Sequence, residues 1–241
     1  NVGNNYSYFA NLEITNESEE GVVFGSNNVM VKGLVDDKGN ITSGYIYPVA
    51  TTTFAEQKFQ GNVYYGDSMT TSENLEIAGN VIVGSSLNLG ENLKVGKNLT
   101  IRSNFELNGK IVEVKGDINH TSGDFYIDGG KVYCAGNYTN AKGYSYLIMT
   151  NSKDYFCVEE NVVINGYYNN RLTAGTLEIK GDFTQKNYND NREDNFVAEG
   201  SHVTIFSGTG KQTIQFESEK SHFNTVELRN YSEEGIYSET T

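Results

Sequence analysis

Residues 74–109 read NLEIAG NVIVGS SLNLGE NLKVGK NLTIRS NFELNG, which is six consecutive groups of six residues without a break. The second and fourth positions of every group are apolar. These positions are Leu75, Ile77, Val81, Val83, Leu87, Leu89, Leu93, Val95, Leu99, Ile101, Phe105 and Leu107. Two apolar residues on either side of one polar residue are typical of a short strand with one buried face. The other positions of each group must then turn the chain toward the next strand.

The residues between these strands suit tight corners. Asn or Ser precedes each strand, and Ala or Gly follows most of them. Asn and Gly tolerate the backbone angles that bends require. Three groups close a triangle of 18 residues, and stacked triangles place parallel strands ~4.8 Å apart. We therefore predict an all-β fold, a parallel β-helix (β-solenoid) with apolar rows inside and Asn ladders at its corners.

The pattern continues with longer coils in the second half of the chain. The sequence VEV at 112–114 recurs as VYC at 132–134 and again as LEI at 177–179, which we interpret as two coils later. A further coil is predicted around VTIF at 203–206, and residues 186–194 are expected to form an extruded loop. The predicted coil length thus grows from 18 to about 20–23 residues.

One segment occurs near both ends of the chain. Residues 7–24 (SYFANLEITNESEEGVVF) and 221–238 (SHFNTVELRNYSEEGIYS) share eight of eighteen positions without gaps, at a constant offset of 214 residues. The favoured interpretation is a fragment of a tandem array with units near that length. The alternative is one motif that a single domain uses twice.

These patterns divide the chain into four parts. Residues 1–24 are interpreted as the closing element of a preceding repeat unit, and 25–71 as wider initial coils or a small β insertion. Within that part, residues 36–40 (DDKGN) predict a hairpin turn. The β-solenoid is predicted over 72–230, and 231–241 as the start of the next unit or a disordered tail.

Composition excludes some classes of partner. The net charge of −13 disfavours nucleic acid and anionic lipid surfaces, and solubility is its simplest meaning, with calcium binding as the alternative. The chain contains 26 Gly, 17 Tyr and one Pro, a composition that suits a turn-rich β protein. We find no apolar run of the ~18 residues that a membrane span needs and no signal-peptide pattern in residues 1–11.

The candidate chemical groups are few. His120, His202 and His222 lack the spacing of a zinc site, and we expect them at the surface or at corners. Cys134 and Cys157 align at equivalent positions of neighbouring coils when YCAGNY is matched with FCVEENV. Stacked cysteines would lie within disulfide range, but two free thiols in an interior ladder are the favoured interpretation.

Three surface features are candidates for binding or catalytic sites. Residues 189–194 could offer oxygen ligands to calcium, although a solvated loop is the favoured interpretation. The tyrosine pairs at 64–65 and 167–168 could stack on sugars, although packing across loops is the favoured interpretation. A carbohydrate-active β-helix would place clustered charges on one sheet face. The charges between core residues are instead expected to form a dispersed solvated face; they are Glu76, Lys94, Glu106, Glu113, Lys115 and Glu178.

Two resemblances add to these residue patterns. The block at 74–109 is similar to hexapeptide-repeat proteins, including left-handed β-helix acyltransferases and bactofilin-type filament formers. The transferases prefer a small residue where this chain has Leu or Phe, and we therefore predict a right-handed solenoid. GTLEIKGDFTQ at 175–185, together with 200–216 and 221–228, resembles repeat segments of large Gram-positive surface proteins. That resemblance implies a secreted, wall-associated or adhesive setting and no catalytic residues.

The sequence thus predicts a non-catalytic structural or adhesive repeat segment of an extracellular or cell-surface bacterial protein. No catalytic, metal-binding or cofactor-binding residues are predicted, no cofactor is implied, and the ligand-binding residues are unknown. The expected partners are neighbouring repeat units of the same polypeptide, with surface glycans or host and cell-wall components as further candidates. Nucleic acid binding and membrane insertion are not expected. The alternative is a carbohydrate-binding or carbohydrate-active β-helix, similar to polysaccharide lyases or hydrolases.

Overall fold

The chain is a β-solenoid of about 11 turns, as predicted. The computed structural model describes residues 8–25, 28–141, 143–167, 171–187 and 194–240. Within these ranges, the one helical element is a short 3-10 turn at Ala55–Gln57. Every strand pairing is parallel, because each coil lies directly on the one before it.

Three sheets of parallel strands run along the stack; two of them, with nine and eleven strands, are long, and the third has five. Strands are numbered in chain order. The first sheet contains β8 (Lys58–Phe59), β11 (Leu75–Ile77), β14 (Leu93–Val95), β17 (Ile111–Val114), β20 (Lys131–Cys134), β23 (Tyr155–Val158), β25 (Thr176–Ile179), β27 (Val203–Phe206) and β29 (Thr225–Leu228). The second contains β3 (Val29–Val31), β6 (Tyr45–Pro48), β9 (Asn62–Tyr65), β12 (Val81–Val83), β15 (Leu99–Ile101), β18 (Ile118–His120), β21 (Tyr138–Asn140), β24 (Val162–Ile164), β26 (Phe183–Gln185), β28 (Gln212–Phe216) and β30 (Ile236–Thr240).

The third sheet is the shortest, and two small sheets lie near the N-terminus. The third sheet contains β10 (Met69–Thr70), β13 (Leu87–Asn88), β16 (Phe105–Glu106), β19 (Gly123–Tyr126) and β22 (Ser145–Ile148). The small sheets are formed by β1 (Leu12–Ile14), β4 (Leu34–Asp37) and β7 (Thr53–Phe54), and by β2 (Val22–Val23) and β5 (Ile41–Ser43).

The apolar rows of residues 74–109 form the interior, as predicted. Leu75 pairs with Leu93, and Val81 pairs with Leu99, so one coil here is 18 residues. The twelve apolar positions of this block are all at most 5% exposed. At ~25 cal/mol per Å² of apolar area removed from water, these rows are the main source of stability in this part of the chain.

The coils then lengthen, as expected. Corner contacts join residues 18 positions apart at Asn74 and Asn92, and 20 apart at Asp117 and Asn137. The next coil step is 24 residues and the one after it is 21. Leu177 lies two strands beyond Val132, which confirms the interpretation of that recurrence as two coils.

Side-chain ladders form at the corners. Asn62 Oδ1 accepts a hydrogen bond from the backbone N–H of Asn80, and Asn80 Oδ1 accepts one from Asn98. Each rung therefore satisfies a backbone donor of the coil that follows. The same ladder continues through Asp117, Asn137, Asn161 and Asp182. Asp replaces Asn at two rungs because this bond needs only a side-chain oxygen.

The hairpin predicted at residues 36–40 is wrong. β4 pairs with β1 and β7, while β5 pairs with β2, so β4 and β5 belong to different faces. The DDKGN sequence turns a corner of a coil instead of reversing the chain. A hairpin and a solenoid corner use the same turn residues, and only the pairing partners distinguish them.

The last coils depart from the simple apolar alternation. In β27, Thr204 and Phe206 are fully buried, while Val203 is half-buried. Phe206 packs against Phe183, with ring centroids 6.4 Å apart. Beyond this coil, β30 adds a further strand next to β28, with Ile236 opposite Gln212.

Candidate functional site

The outer face of the third sheet carries a group of aromatic and charged side chains. Asp124 of β19 pairs with Tyr146 of β22. Both project outward, because the residue after each of them, Phe125 or Leu147, is buried and successive residues of a strand point to opposite faces. We call this group the tyrosine–arginine surface. It consists of Asp124, Tyr126, Tyr144, Tyr146, Tyr167 and Arg171.

Asp124 is the polar centre of this surface. Its carboxylate accepts a hydrogen bond of 2.6 Å from the Tyr126 hydroxyl and one of 3.1 Å from Arg171 Nη1. The hydrogen bond to Asp124, together with partial burial, raises the pKa of Tyr126. The Arg171 guanidinium lies 5.3 Å from the ring centroid of Tyr146, a cation–π distance.

Tyrosine rings extend the surface toward solvent. Tyr144 stacks on Tyr167 with centroids 4.7 Å apart and ring planes 19° from parallel. Tyr144 also lies 6.4 Å from Tyr146 and is 62% exposed. An exposed aromatic face beside a carboxylate and a guanidinium offers apolar stacking area together with hydrogen-bond donors and acceptors. Such a combination suits a flat, hydroxyl-rich ligand.

Sequence reasoning identified only part of this surface. It named the pair at 167–168 as a candidate for stacking; Tyr167 belongs to the surface, and residue 168 lies outside the described ranges. The alternation in β19 and β22 would have placed Asp124, Tyr126 and Tyr146 outward once those strands were assigned to one sheet. Arg171 lies outside the strands, and its position had no sequence signal. The pair at 64–65 is not an exposed pair, since Tyr65 is only 2% exposed.

Two of the three histidines are buried, which contradicts the expectation of surface or corner positions. His120 Nε2 lies 2.8 Å from the Gly123 carbonyl oxygen and therefore donates, so Nδ1 accepts from the Tyr138 hydroxyl at 3.1 Å. Burial lowers the pKa of His120 to about 4. His202 is also fully buried, with Nδ1 3.0 Å from the Ala174 carbonyl, and burial lowers its pKa. His222 is exposed, as expected.

The two cysteines are free thiols, as the favoured interpretation held, but they do not form the interior ladder that it predicted. Their predicted alignment is wrong by one residue, because Cys134 pairs with Val158 and Cys157 with Tyr133. Successive residues of a strand point to opposite faces. Cys134 therefore lies in the interior, and Cys157 lies on the opposite face of the sheet beside Glu159, with Sγ 3.8 Å from its carboxylate. Burial raises the pKa of Cys134 to about 12.

Charged residues on the first sheet form local pairs. Lys94 and Glu113 are both exposed and 3.5 Å apart. Glu178 accepts hydrogen bonds of 2.6 Å from the Tyr155 hydroxyl and from the Ser207 hydroxyl. Burial acts to raise the pKa of Glu178, but these two bonds together with the charges of Lys180 and Arg229 outweigh it, and the net shift is downward.

Among the residues that the structure describes, no group of three or more His, Cys, Asp or Glu side chains converges as a metal site. The calcium candidate at 189–194 lies outside the described ranges except for Asp194. None of the described helical segments has the length and hydrophobicity to cross a membrane.

Comparison of the chain with protein families, with curated proteins and with solved structures finds no match in any of the three.

Proposed function

We propose that this chain is a non-catalytic structural and adhesive repeat segment of an extracellular or cell-surface bacterial protein. The observation that carries the proposal is the stack itself. About 11 turns of parallel strands enclose one apolar core and present three sheet faces along a single axis. Such a rod separates its two ends and displays side chains along its length, which suits a spacer that also binds.

The local chemistry of the ionisable groups supports a structural role. Both ring nitrogens of His120 have hydrogen-bond partners inside the core, and its lowered pKa keeps it neutral at physiological pH. The raised pKa of Cys134 keeps that thiol protonated. These groups contribute to packing, and neither is poised to act as a nucleophile or a base.

The surface location rests on the resemblance of residues 175–185, 200–216 and 221–228 to repeat segments of Gram-positive surface proteins. An acidic, turn-rich β-rod with exposed tyrosines is consistent with such a setting. Labelling of intact source cells with a membrane-impermeant amine reagent tests it. Modification of exposed lysines such as Lys94 before lysis is the expected result, and modification only after lysis would contradict a surface location.

A separate experiment tests the proposal that the chain has no catalytic activity. The purified chain should leave acidic and neutral polysaccharides intact, as measured by the release of reducing ends. Measurable turnover would show that the chain is a carbohydrate-active β-helix.

A second candidate function is carbohydrate binding without catalysis at the tyrosine–arginine surface. The stacked Tyr144 and Tyr167 rings beside the Arg171–Asp124 ion pair favour it. Screening against immobilised glycans, followed by calorimetry, should give binding that Tyr144→Ala weakens at least tenfold. Tyr231→Ala is a matched control, because Tyr231 is 92% exposed near the other end of the chain. Equal binding by both variants would contradict this site.

A further inference from the structure

The segment that occurs twice in the sequence has the same local structure in both places. We call residues 8–24 and 222–238 the N-terminal and C-terminal copies of the joint segment. In the N-terminal copy, the N–H of Ser18 donates to Asn16 Oδ1 at 3.0 Å, and the N–H of Gly21 donates to Ser18 Oγ at 3.2 Å.

The C-terminal copy makes the same two bonds. Ser232 donates to Asn230 Oδ1 at 2.8 Å, and Gly235 donates to Ser232 Oγ at 3.1 Å. Gly21 and Gly235 have φ of 61° and 67°. The identities in the sequence therefore preserve a turn, which is what a repeated structural element requires.

The two copies are covered on opposite sides. The N-terminal copy has its following coil in place, since Leu12 of β1 pairs with Val35 of β4 and Val22 pairs with Ile41. The C-terminal copy has its preceding coil in place, since Val226 pairs with Thr204, and Phe223 packs 5.7 Å from Phe206. Together, the two copies show both neighbours of one segment.

The exposure of equivalent residues shows which neighbouring coil is missing from each copy. Ile14 is 4% exposed beneath β4, whereas its equivalent Leu228 is 60% exposed. Phe9 is 54% exposed, whereas its equivalent Phe223 packs against four phenylalanine rings, those of Phe183, Phe196, Phe206 and Phe216. β29 is the terminal strand of the first sheet, so its outer edge and the Leu228 side chain form an open end.

We propose that residues 28–43 of a second copy of this sequence, following in the same polypeptide, dock on the C-terminal joint segment in the register that the N-terminal joint segment already shows. Val226 then lies opposite Val35 of the second copy, Glu227 opposite Asp36, and Ile236 opposite Ile41. This inference deepens the proposed function and rests on it, because it makes the chain one unit of a continuous rod.

The chain's own hydrogen bonds specify this register. At the N-terminal joint, the N–H of Lys38 donates to the Ile14 carbonyl at 2.9 Å, and the N–H of Asn40 donates to the Asn16 carbonyl at 2.7 Å. Asn40 Nδ2 also donates to the Ser18 carbonyl at 3.1 Å. Because the C-terminal copy keeps the same turn, the carbonyls of residues 228, 230 and 232 can accept the equivalent bonds.

A free single chain does not form this contact easily. Its own residues 8–24 already cover β4 and β5, so a second molecule must displace them. The test therefore uses a tandem protein in which residues 1–238 are followed directly by residues 25–241. In this tandem, the first unit's C-terminal joint segment replaces the second unit's N-terminal one.

The first measurement uses a buried charge. Leu228→Asp in the first unit of the tandem should lower the melting temperature by more than about 5 °C, because the joint buries that side chain. The same substitution in the single chain should change it by less than about 1 °C. Ile14→Asp in the single chain is the matched positive control, since Ile14 is covered there. A tandem that tolerates Leu228→Asp as well as the single chain does would overturn the proposal.

The second measurement tests the register. Neighbouring parallel strands place opposite Cα atoms ~4.8 Å apart, within disulfide range. Glu227→Cys in the first unit should cross-link to Asp36→Cys in the second at a rate within about twofold of the Glu13→Cys/Asp36→Cys pair in the single chain. Replacing Asp36→Cys by Lys38→Cys in the second unit should slow the reaction at least tenfold. Equal rates for both tandem pairs would refute the register.

These results are separate from the surface test. If the melting and cross-linking results support the joint but intact cells do not expose the protein, only the proposed surface location is contradicted. If cells expose the protein but these results reject the joint, only the proposed stacking of units is contradicted.

Discussion

Inside the solenoid, His120 accepts a hydrogen bond of 3.1 Å from the Tyr138 hydroxyl of the following coil. The two residues occupy opposite ends of neighbouring strands, β18 and β21, and both are fully buried. The bond links a basic ring to a phenol in a place where water cannot replace either partner. Protonation of His120 removes the acceptor and places a charge in the core.

The first prediction concerns stability against pH. The pKa of His120 is about 4 in the folded chain and about 6.5 when unfolded, so the unfolded state binds more protons between these values. Stability is therefore full above pH 6.5 and falls as the pH is lowered toward 4. The loss attributable to His120 is about 3 kcal/mol.

Denaturant unfolding at pH 7 and pH 4.5 measures this loss. His120→Gln, which stays neutral, should lose less stability than the wild type between the two pH values. His222→Gln is the matched control, because His222 is exposed. Identical pH dependence of the wild type and His120→Gln would show that His120 titrates normally.

The second prediction concerns the apolar rows. Leu93 is 1% exposed and Lys94, the next residue, points to solvent. Leu93→Ala should lower the free energy of unfolding by about 2–5 kcal/mol through lost transfer energy and a cavity. Lys94→Ala should change it by less than about 0.5 kcal/mol. Thermal and denaturant unfolding followed by circular dichroism measure both, and similar losses for the two variants would contradict the assigned faces.

The third prediction concerns the thiols. Cys134 is 1% exposed with a pKa of about 12, and burial also raises the pKa of Cys157. Both should react with iodoacetamide at pH 8 at least about 100-fold more slowly in the folded chain than in denaturant. Mass spectrometry of the quenched reaction gives the rate at each cysteine. Complete labelling of folded protein within minutes would mean that the coils open readily at these strands.

The difference between predicted and observed features follows from the range of each interaction. The apolar pattern at 74–109 is local, and it suffices to place Leu87 or Leu93 inside and to stack the coils. His120 occupies the same inward position as Ile101 one coil earlier, but its partners are Gly123 and Tyr138. A polar residue at an inward position is stable only with such partners, and those come from other turns of the chain.

The same distinction between local pattern and distant partners applies to the tyrosine–arginine surface. The alternation around Phe125 and Leu147 determines which side chains of β19 and β22 point outward. Arg171 lies outside the strands, so no periodicity of the sequence predicts that it meets those side chains. The candidate binding surface was therefore predictable strand by strand and not as a group.

The last prediction concerns the corner ladder. Asn80 Oδ1 accepts the N–H of Asn98 at 3.2 Å, and Asn80 Nδ2 donates to Asn62 Oδ1 at 2.9 Å. Asn80→Ala removes the acceptor and leaves the Asn98 N–H without its partner in the ladder, which should cost about 1–3 kcal/mol.

Asn80→Asp tests the acceptor role of this side chain separately from its donor role. Aspartate keeps the oxygen that Asn98 needs, as Asp117 and Asp182 do in later rungs, but it cannot donate to Asn62. Its free energy of unfolding should therefore lie between those of the wild type and the alanine variant, as measured by denaturant unfolding at pH 7. If Asp and Ala were equally destabilising, the donation to Asn62 would be the bond that matters and the ladder's acceptor role would be secondary. If both were neutral, solvent would satisfy the corner as well as the side chain does.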